Sequence, residues 1–356
     1  INNMINFSKQ IAFKERLVGI DHPAYFVAEI GANFDNSLDK AKKLCDAAKE
    51  AGADCAKFQS FISEKIVAPK GFQKMQLKGV HGSWGRPVSE VFKDVEFPRD
   101  WHPIVKEHCD NIGIHFSTSP YDFEAVDLCM DLDLPFIKIG SGEITWLEMI
   151  EKIASKQKPI VLATGDATLS EIDEAIKVIE STGNENLILL QCITNYPSMI
   201  ESANINVLKT YQNAFDVLTG YSDHSPGDVV ILGSIALGGV FVEKHFTFNK
   251  EDKGPDHPHS MNVQEFKSMV SRVRQLEQAM GSTKKFVVEE ENETVVVQRR
   301  GLYAAKDIPL GKVIDHSDLI ELRPALGILP KYKSTLIGKK FKTHIEVGQP
   351  VYWENF

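Results

Sequence analysis

The chain lacks any apolar run approaching the length of a membrane span, so no transmembrane helix is expected. It also lacks a basic stretch long enough to follow a phosphate backbone. With a formal net charge of −9, that argues against nucleic acid as a partner. Its five cysteines (Cys45, Cys55, Cys109, Cys129 and Cys192) are odd in number and widely spaced, with no C-x-x-C pair and no zinc pattern. They are expected as reduced thiols packed in the core. Residues 1–17 carry Lys9, Lys14, Glu15 and Arg16 among scattered apolar residues. The uninterrupted apolar segment of a secretory signal is missing there, so a cytoplasmic location is expected. No internal repeat or low-complexity tract stands out.

What is present is an ordinary globular composition, 43% hydrophobic and 25% charged. At 356 residues the chain exceeds the size at which one hydrophobic core stops growing, which predicts a large domain and a small one. Between residues 25 and 281, short β-branched or apolar runs alternate with helical stretches, the βαβα rhythm of parallel strands with crossover helices. Strands are expected over 26–30, 54–58, 114–117, 136–139, 160–163, 187–191, 217–221 and 240–244. Helical runs such as 38–51 and 171–180 lie between them, the second opened by the capping pair Thr168 and Glu171. Eight units in about 250 residues fit a (β/α)8 TIM barrel better than an open doubly wound sheet. This α/β class is the expected fold.

Four segments complete the plan. Residues 1–24 read as an N-terminal extension and 25–281 as the barrel. A charged linker over 282–298 is expected, and a small, mostly β domain over 299–356. Within the barrel, 67–100 fits no strand-and-helix unit, because Gly71, Gly79, Gly82, Gly85 and Pro87 fall where a helix would run. It reads as a loop insertion over the barrel mouth.

In such a barrel the loops after the strands' C-terminal ends build the active site. Polar residues collect there. Strand parity puts Glu29 with Val27, Lys57 and Gln59 with Cys55, Lys138 with Phe136, and Glu243 and His245 with Phe241, so each set can face the barrel axis. The two lysines suit a phosphate and a carboxylate, although a strand-end lysine is as readily a structural ion-pair partner. His224 and His245 end consecutive strands and can share one divalent ion; two core histidines satisfied by hydrogen bonds are the alternative. Glu143, after the turn in G-S-G-E, can act on water or a proton, or simply favour a helix's first turn. Capping and a tight turn account for Thr164, Gly165 and Thr168.

Seven segments in order, A-E-I-G-A-N (28–33), A-G-A-D-x-x-K-F-Q (51–59), F-S-T-S-P (116–120), K-I-G-S-G-E (138–143), G-Y-S-D-H (220–224), E-K-H-F-T (243–247) and G-P-D-H (254–257), resemble sialic acid synthases. The tail segments A-A-K-D-I-P-x-G-x-V-I (304–314) and L-R-P (322–324) resemble the antifreeze-like (SAF) domain of those enzymes. The resemblance implies a reaction in which C3 of phosphoenolpyruvate attacks the open-chain aldehyde of an N-acylated aminosugar, with N-acetylmannosamine the first expectation. Phosphate and a nonulosonic acid, N-acetylneuraminate in that case, are the products. It implies a divalent ion, manganese or magnesium, on His224 and His245. Lys57, Lys138, Ser141 and Ser222 would hold phosphoenolpyruvate, Glu29 and Glu143 would manage proton transfers, and Gln59, Tyr196 and Asp256 would meet the sugar. It further implies a homodimer with exchanged C-terminal domains, in which Arg323 reaches the sugar's acyl group from the partner subunit.

The chain departs from the family pattern at Asn33-Phe34-Asp35, Asp166, Thr194, Ala325 and His259-Ser260-Met261. None of these touches the metal, lysine or glutamate positions, so they bear on the sugar rather than on the reaction. A 2,4-diacetamido-trideoxy sugar, giving a legionaminic- or pseudaminic-type acid, is the alternative substrate. A non-catalytic binding protein working through its antifreeze-like domain is an alternative of another class.

Overall fold

The computed structural model describes residues 5–77 and 80–356. Residues 1–4, the start of the expected extension, and 78–79, inside the expected insertion, lie outside the described residues. The chain divides after Gly281 into two units, 1–281 and 282–356.

The larger unit opens with an antiparallel hairpin, β1 (Gln10–Phe13) and β2 (Arg16–Gly19). Eight parallel strands follow: β3 (Tyr25–Glu29), β4 (Cys55–Ser60), β5 (His115–Pro120), β6 (Ile137–Ile139), β7 (Ile160–Ala163), β8 (Leu187–Cys192), β9 (Leu218–Asp223) and β10 (Phe241–Thr247). Their order is β5-β4-β3-β10-β9-β8-β7-β6, and the Ser117 hydroxyl, donating to the Phe136 carbonyl at 3.2 Å, bridges the two end strands. A short β11 (Met261–Asn262) adds to β10 in parallel. All eight expected segments carry strands, and the fold is a nearly closed (β/α)8 barrel.

The crossover helices form because apolar residues recur at helical spacing. In Leu38–Glu50, Ala41, Leu44, Cys45 and Ala48 are buried on one face, and the Ser37 hydroxyl caps the first turn by accepting from Lys40 N. Leu169–Ser181 starts at the expected capping box of Thr168 and Glu171. All five cysteines are free and buried. Among the described residues no helix is long and apolar enough to cross a membrane.

Two features differ from the sequence reading. The hairpin of the extension plugs the barrel where its strands begin: Phe13 is fully buried, stacked on Phe136 at 4.8 Å and edge-on to Tyr25 at 5.1 Å. With that end closed, the strands' C-terminal ends are left for the cavity. The segment expected as a loop over 67–100 carries short helices, namely Pro69–Phe72, Val80–Ser83 and Val88–Asp94, after Ser63–Ile66. Pro69 opens the first of the three and Pro87 immediately precedes the last, both places that suit a helix start.

In the second unit, β12 (Gly301–Ala304) pairs antiparallel with β13 (Leu319–Leu322). Isolated bridges from Ile308 to Ile345 and from Val313 to Lys340 extend the β character around a core that includes Leu302, Ile314, Leu336 and Phe341. Residues 282–298, expected as linker, hold a 3-10 turn and the helix Asn292–Gln298.

Candidate active site

Strand pleating puts alternate side chains inside the barrel, and at the C-terminal ends of β3, β4, β6, β9 and β10 those side chains are charged or polar. Lys57 Nζ lies 2.6 Å from Glu29 Oε2 and 3.7 Å from Glu243 Oε2, and it donates to Ser119 Oγ at 3.2 Å. Lys138 Nζ lies 3.3 Å from Glu243 Oε1, which also accepts from the Ser222 hydroxyl at 3.1 Å. Gln59 Nε2 donates to Glu29 Oε1 at 2.7 Å. Two ammoniums and two carboxylates thus neutralise one another where isolated charges would be costly.

Their environments separate the carboxylates. Burial lifts Glu29 to about 7 against the pull of Lys57, with Glu243 adding to the rise. Burial also works to raise Glu243, but Lys138 and Lys57 outweigh it and hold that carboxyl below its ordinary value. Glu143 is lifted to about 7 by burial, opposed by Lys138. Glu29 and Glu143 can therefore each give or take a proton near neutrality, while Glu243 stays ionised as the lysines' counterion.

In the same cavity as Lys138, three loops converge at Ser141, Gly165 and Thr194. Ser141 Oγ accepts from Gly165 N at 3.0 Å. A Cβ at Gly165 would stand 2.1 Å from Thr194 Oγ1, so only glycine lets these loops close together. Thr194 Oγ1 is buried without a hydrogen-bond partner.

Opposite lies a cluster of imidazoles. His224 Nδ1 meets the Ile193 carbonyl at 2.8 Å; a carbonyl only accepts, so this nitrogen carries the proton and Nε2 keeps its lone pair. Burial depresses His224 to about 4 and His245 well below its ordinary value, the latter helped by His259 and His224; burial also lowers His259. The rings of His224 and His245 lie 5.5 Å apart, those of His245 and His259 4.7 Å. Asp256 Oδ2, held by Ala32 N at 2.9 Å, is 3.5 Å from His245 Nδ1. At Gly31 (φ 51°) a Cβ would fall 2.4 Å from that carboxylate oxygen.

These residues fit a divalent cation. His245, Asp256 and His259 each offer a donor atom within 4.8 Å of the others, and His245 Nδ1 and His259 Nε2 are buried without a hydrogen-bond partner. Neutral imidazoles and a carboxylate are the donor set such an ion takes. His224 lies outside that trio, one ring away. A second trio, Asp35, Asp252 and His257, is already satisfied by a cation of the chain, because Lys40 pairs with both aspartates.

Eleven of the twelve residues given a substrate, proton-transfer or metal role from the sequence, Glu29, Lys57, Gln59, Lys138, Ser141, Glu143, Tyr196, Ser222, His224, His245 and Asp256, line one cavity of about 270 Å³. The twelfth, Arg323, is exposed in the second unit. Tyr196 sets its ring against His224 at a 44° tilt, with centroids 4.2 Å apart. Sequence reasoning named Thr194 and His259 only as departures from the family pattern and passed over Tyr121; it put 67–100 over the barrel mouth without naming the wall residues Phe61, Ile66, Trp84, Val91, Phe92 and Val95. Most of that wall comes from the short helices and the residues flanking them, and His81 on the same stretch is its polar member.

Comparison with known proteins identifies the family. Residues 44–285 match the NeuB family and residues 299–356 match the SAF domain. The chain is 36% identical over 316 residues to the N,N'-diacetyllegionaminic acid synthase of Campylobacter jejuni, covering 88% of this chain and 94% of that protein. It is 32% identical over 341 residues to the N-acetylneuraminate-9-phosphate synthase of Homo sapiens, covering 95% and 94%. The crystal structure of an N-acetylneuraminic acid synthetase from Leptospira borgpetersenii, in complex with citrate, superposes with a TM-score of 0.73 at 25% identity, over 82% of this chain and 96% of that one. The chain belongs to the NeuB family of acid synthases and carries a SAF domain at its C-terminal end.

Proposed function

We propose that the chain condenses phosphoenolpyruvate with the open-chain aldehyde of an N-acylated aminosugar, releasing phosphate and a nonulosonic acid. The observation that carries the reading is one cavity with two halves. Lys57 and Lys138 stand on one side with Glu29 and Glu143 poised near neutrality, and neutral imidazoles with a carboxylate stand on the other. Such a cavity suits an anionic enol ether meeting a polarisable carbonyl.

In this reading Lys57, Lys138, Ser141 and Ser222 hold the phosphate and carboxylate. C3 of the enol ether forms the new bond to the aldehyde carbon, whose oxygen takes a proton. Water adds at C2 and gives a proton to Glu143. The C2–O bond to phosphate then breaks, its electron pair leaves with phosphate, and the C2 hydroxyl loses its proton to become the ketone. Glu29, bridged to Gln59 and Lys57, returns protons on the sugar side. A divalent ion, manganese or magnesium, held by His224 and His245 together with Asp256 and His259, would supply polarisation of the aldehyde oxygen. Gln59, Tyr196 and Asp256 orient the sugar.

N-acetylmannosamine is the first sugar to test. The wall, apolar except for His81, favours a second reading, a 2,4-diacetamido-trideoxy sugar, because hydroxyls packed against Phe61 and Phe92 would lose their water without gaining partners. A cytoplasmic homodimer, with the C-terminal domain of one subunit bringing Arg323 to the other's barrel, completes the proposal; its support is the tail's resemblance to those of known synthases. The test is phosphate release from phosphoenolpyruvate by purified protein. Release that requires both an aminosugar and manganese supports the reading, and release indifferent to sugar sinks it.

A further inference from the structure

Strands β9 and β10 run side by side in register, with Ser222 opposite Glu243 and Asp223 opposite Lys244. Pleating sends these pairs to opposite faces. Ser222 and Glu243 line the cavity, as do His224 and His245 one step further on. Asp223 and Lys244 point the other way, into the layer between barrel and helices that Tyr221, Val242 and Phe246 make apolar.

Both charged side chains are 1% exposed, with Lys244 Nζ 2.6 Å from Asp223 Oδ2. The ammonium also donates to the carbonyls of Ser225 and Gly227, so all three of its protons are used. Asp223 Oδ1 in turn accepts from Ser225 N at 2.9 Å and from Ser225 Oγ at 2.7 Å. Every one of these bonds fixes the 223–227 turn, which carries His224.

Stability does not account for the pair. Replacing a buried ion pair with apolar residues of similar volume is often neutral or stabilising. We infer that Lys244 and Asp223 are positioning residues for His224: they lock the turn so that His224 Nδ1 stays on the Ile193 carbonyl and Nε2 stays turned to the cavity. The inference rests on the proposed metal-binding role of His224.

The test is the double substitution Asp223→Leu and Lys244→Met, which keeps volume and removes both charges. Manganese affinity is measured by titration calorimetry well below the melting temperature, with thermal unfolding recorded alongside. The expected result is a cooperatively folding protein whose manganese affinity falls about 10–100-fold, the effect of losing an outer-shell partner. A folded variant with wild-type affinity overturns the inference while leaving the metal reading intact. Wild-type protein that binds no manganese removes the metal reading, and the inference with it. Should the double variant fail to fold, Asp223→Asn retains the acceptor for Ser225 and loses the charge; unchanged affinity there overturns the inference equally.

Discussion

Glu29 and Lys57 face each other in register across β3 and β4, carboxylate 2.6 Å from ammonium, with both side chains 2% exposed. The pair neutralises the site in the free enzyme, and an incoming phosphate must compete for the same ammonium. Burial alone would discharge Lys57, but Glu243 and Glu29 outweigh it and lift the lysine above its ordinary value.

Lys57→Met should therefore harm stability and activity by separable routes. Leaving a buried carboxylate without its partner costs about 3–5 kcal/mol. Adding Glu29→Gln should restore most of that stability in denaturant unfolding without restoring turnover. Recovery of turnover in the double variant would show that Lys57 serves the fold and not the substrate.

Glu143 supplies a pH prediction with two readouts of opposite sign. Its folded value of about 7 lies above the ordinary value of 4.5, so the folded state binds more protons than the unfolded state between those limits. Stability contributed by this group thus falls as pH rises through that window. Turnover, which in our reading needs the ionised carboxylate, rises through it. Glu143→Gln should raise the melting temperature at about pH 8 more than at about pH 4, and cut kcat by about 10²–10⁴-fold. A variant stabilised equally at both pH values would show that Glu143 is not held protonated.

How much of this was legible in the sequence follows from periodicity. Glu29, Lys57, Lys138 and Glu243 share parity with apolar partners on short strands, and a barrel turns parity directly into an inner face. Thr194, Tyr121 and His259 sit on loops with no period, placed by contacts remote in sequence. The His259 loop, for example, is held where Asn33 donates to the Phe246 carbonyl at 3.0 Å and to Ser260 Oγ at 2.9 Å. The β1–β2 hairpin went unread because each strand has only four residues and its buried positions, Ile11 and Phe13, gain meaning only inside the barrel end. Asp256 was read as a sugar contact; its place beside His245 comes from the Gly31 turn, which no spacing rule encodes.

His259 provides a direct check on the cation set. His245→Ala should abolish metal-dependent turnover in a barrel whose circular dichroism is unchanged, and His259→Ala should weaken manganese binding in calorimetry. If His259→Ala leaves manganese affinity unaltered, the ion belongs to His224 and His245 without it.

Arg323 tests the exchanged domain. Arg323→Ala should raise KM for the sugar far more than KM for phosphoenolpyruvate. Mixing Arg323→Ala protein with Lys57→Met protein should recover activity through heterodimers that hold one intact site. No recovery, with subunit exchange verified by mass, would place the C-terminal domain's action within its own chain.

The most direct measurement of the central claim is the mass of the product formed from phosphoenolpyruvate, manganese and a panel of aminosugars that includes N-acetylmannosamine and diacetamido-trideoxy hexoses. The account predicts one new species equal in mass to sugar plus phosphoenolpyruvate plus water minus phosphoric acid, formed in step with phosphate and lost on chelation. Folded, manganese-loaded protein that yields no such adduct with any sugar would contradict it.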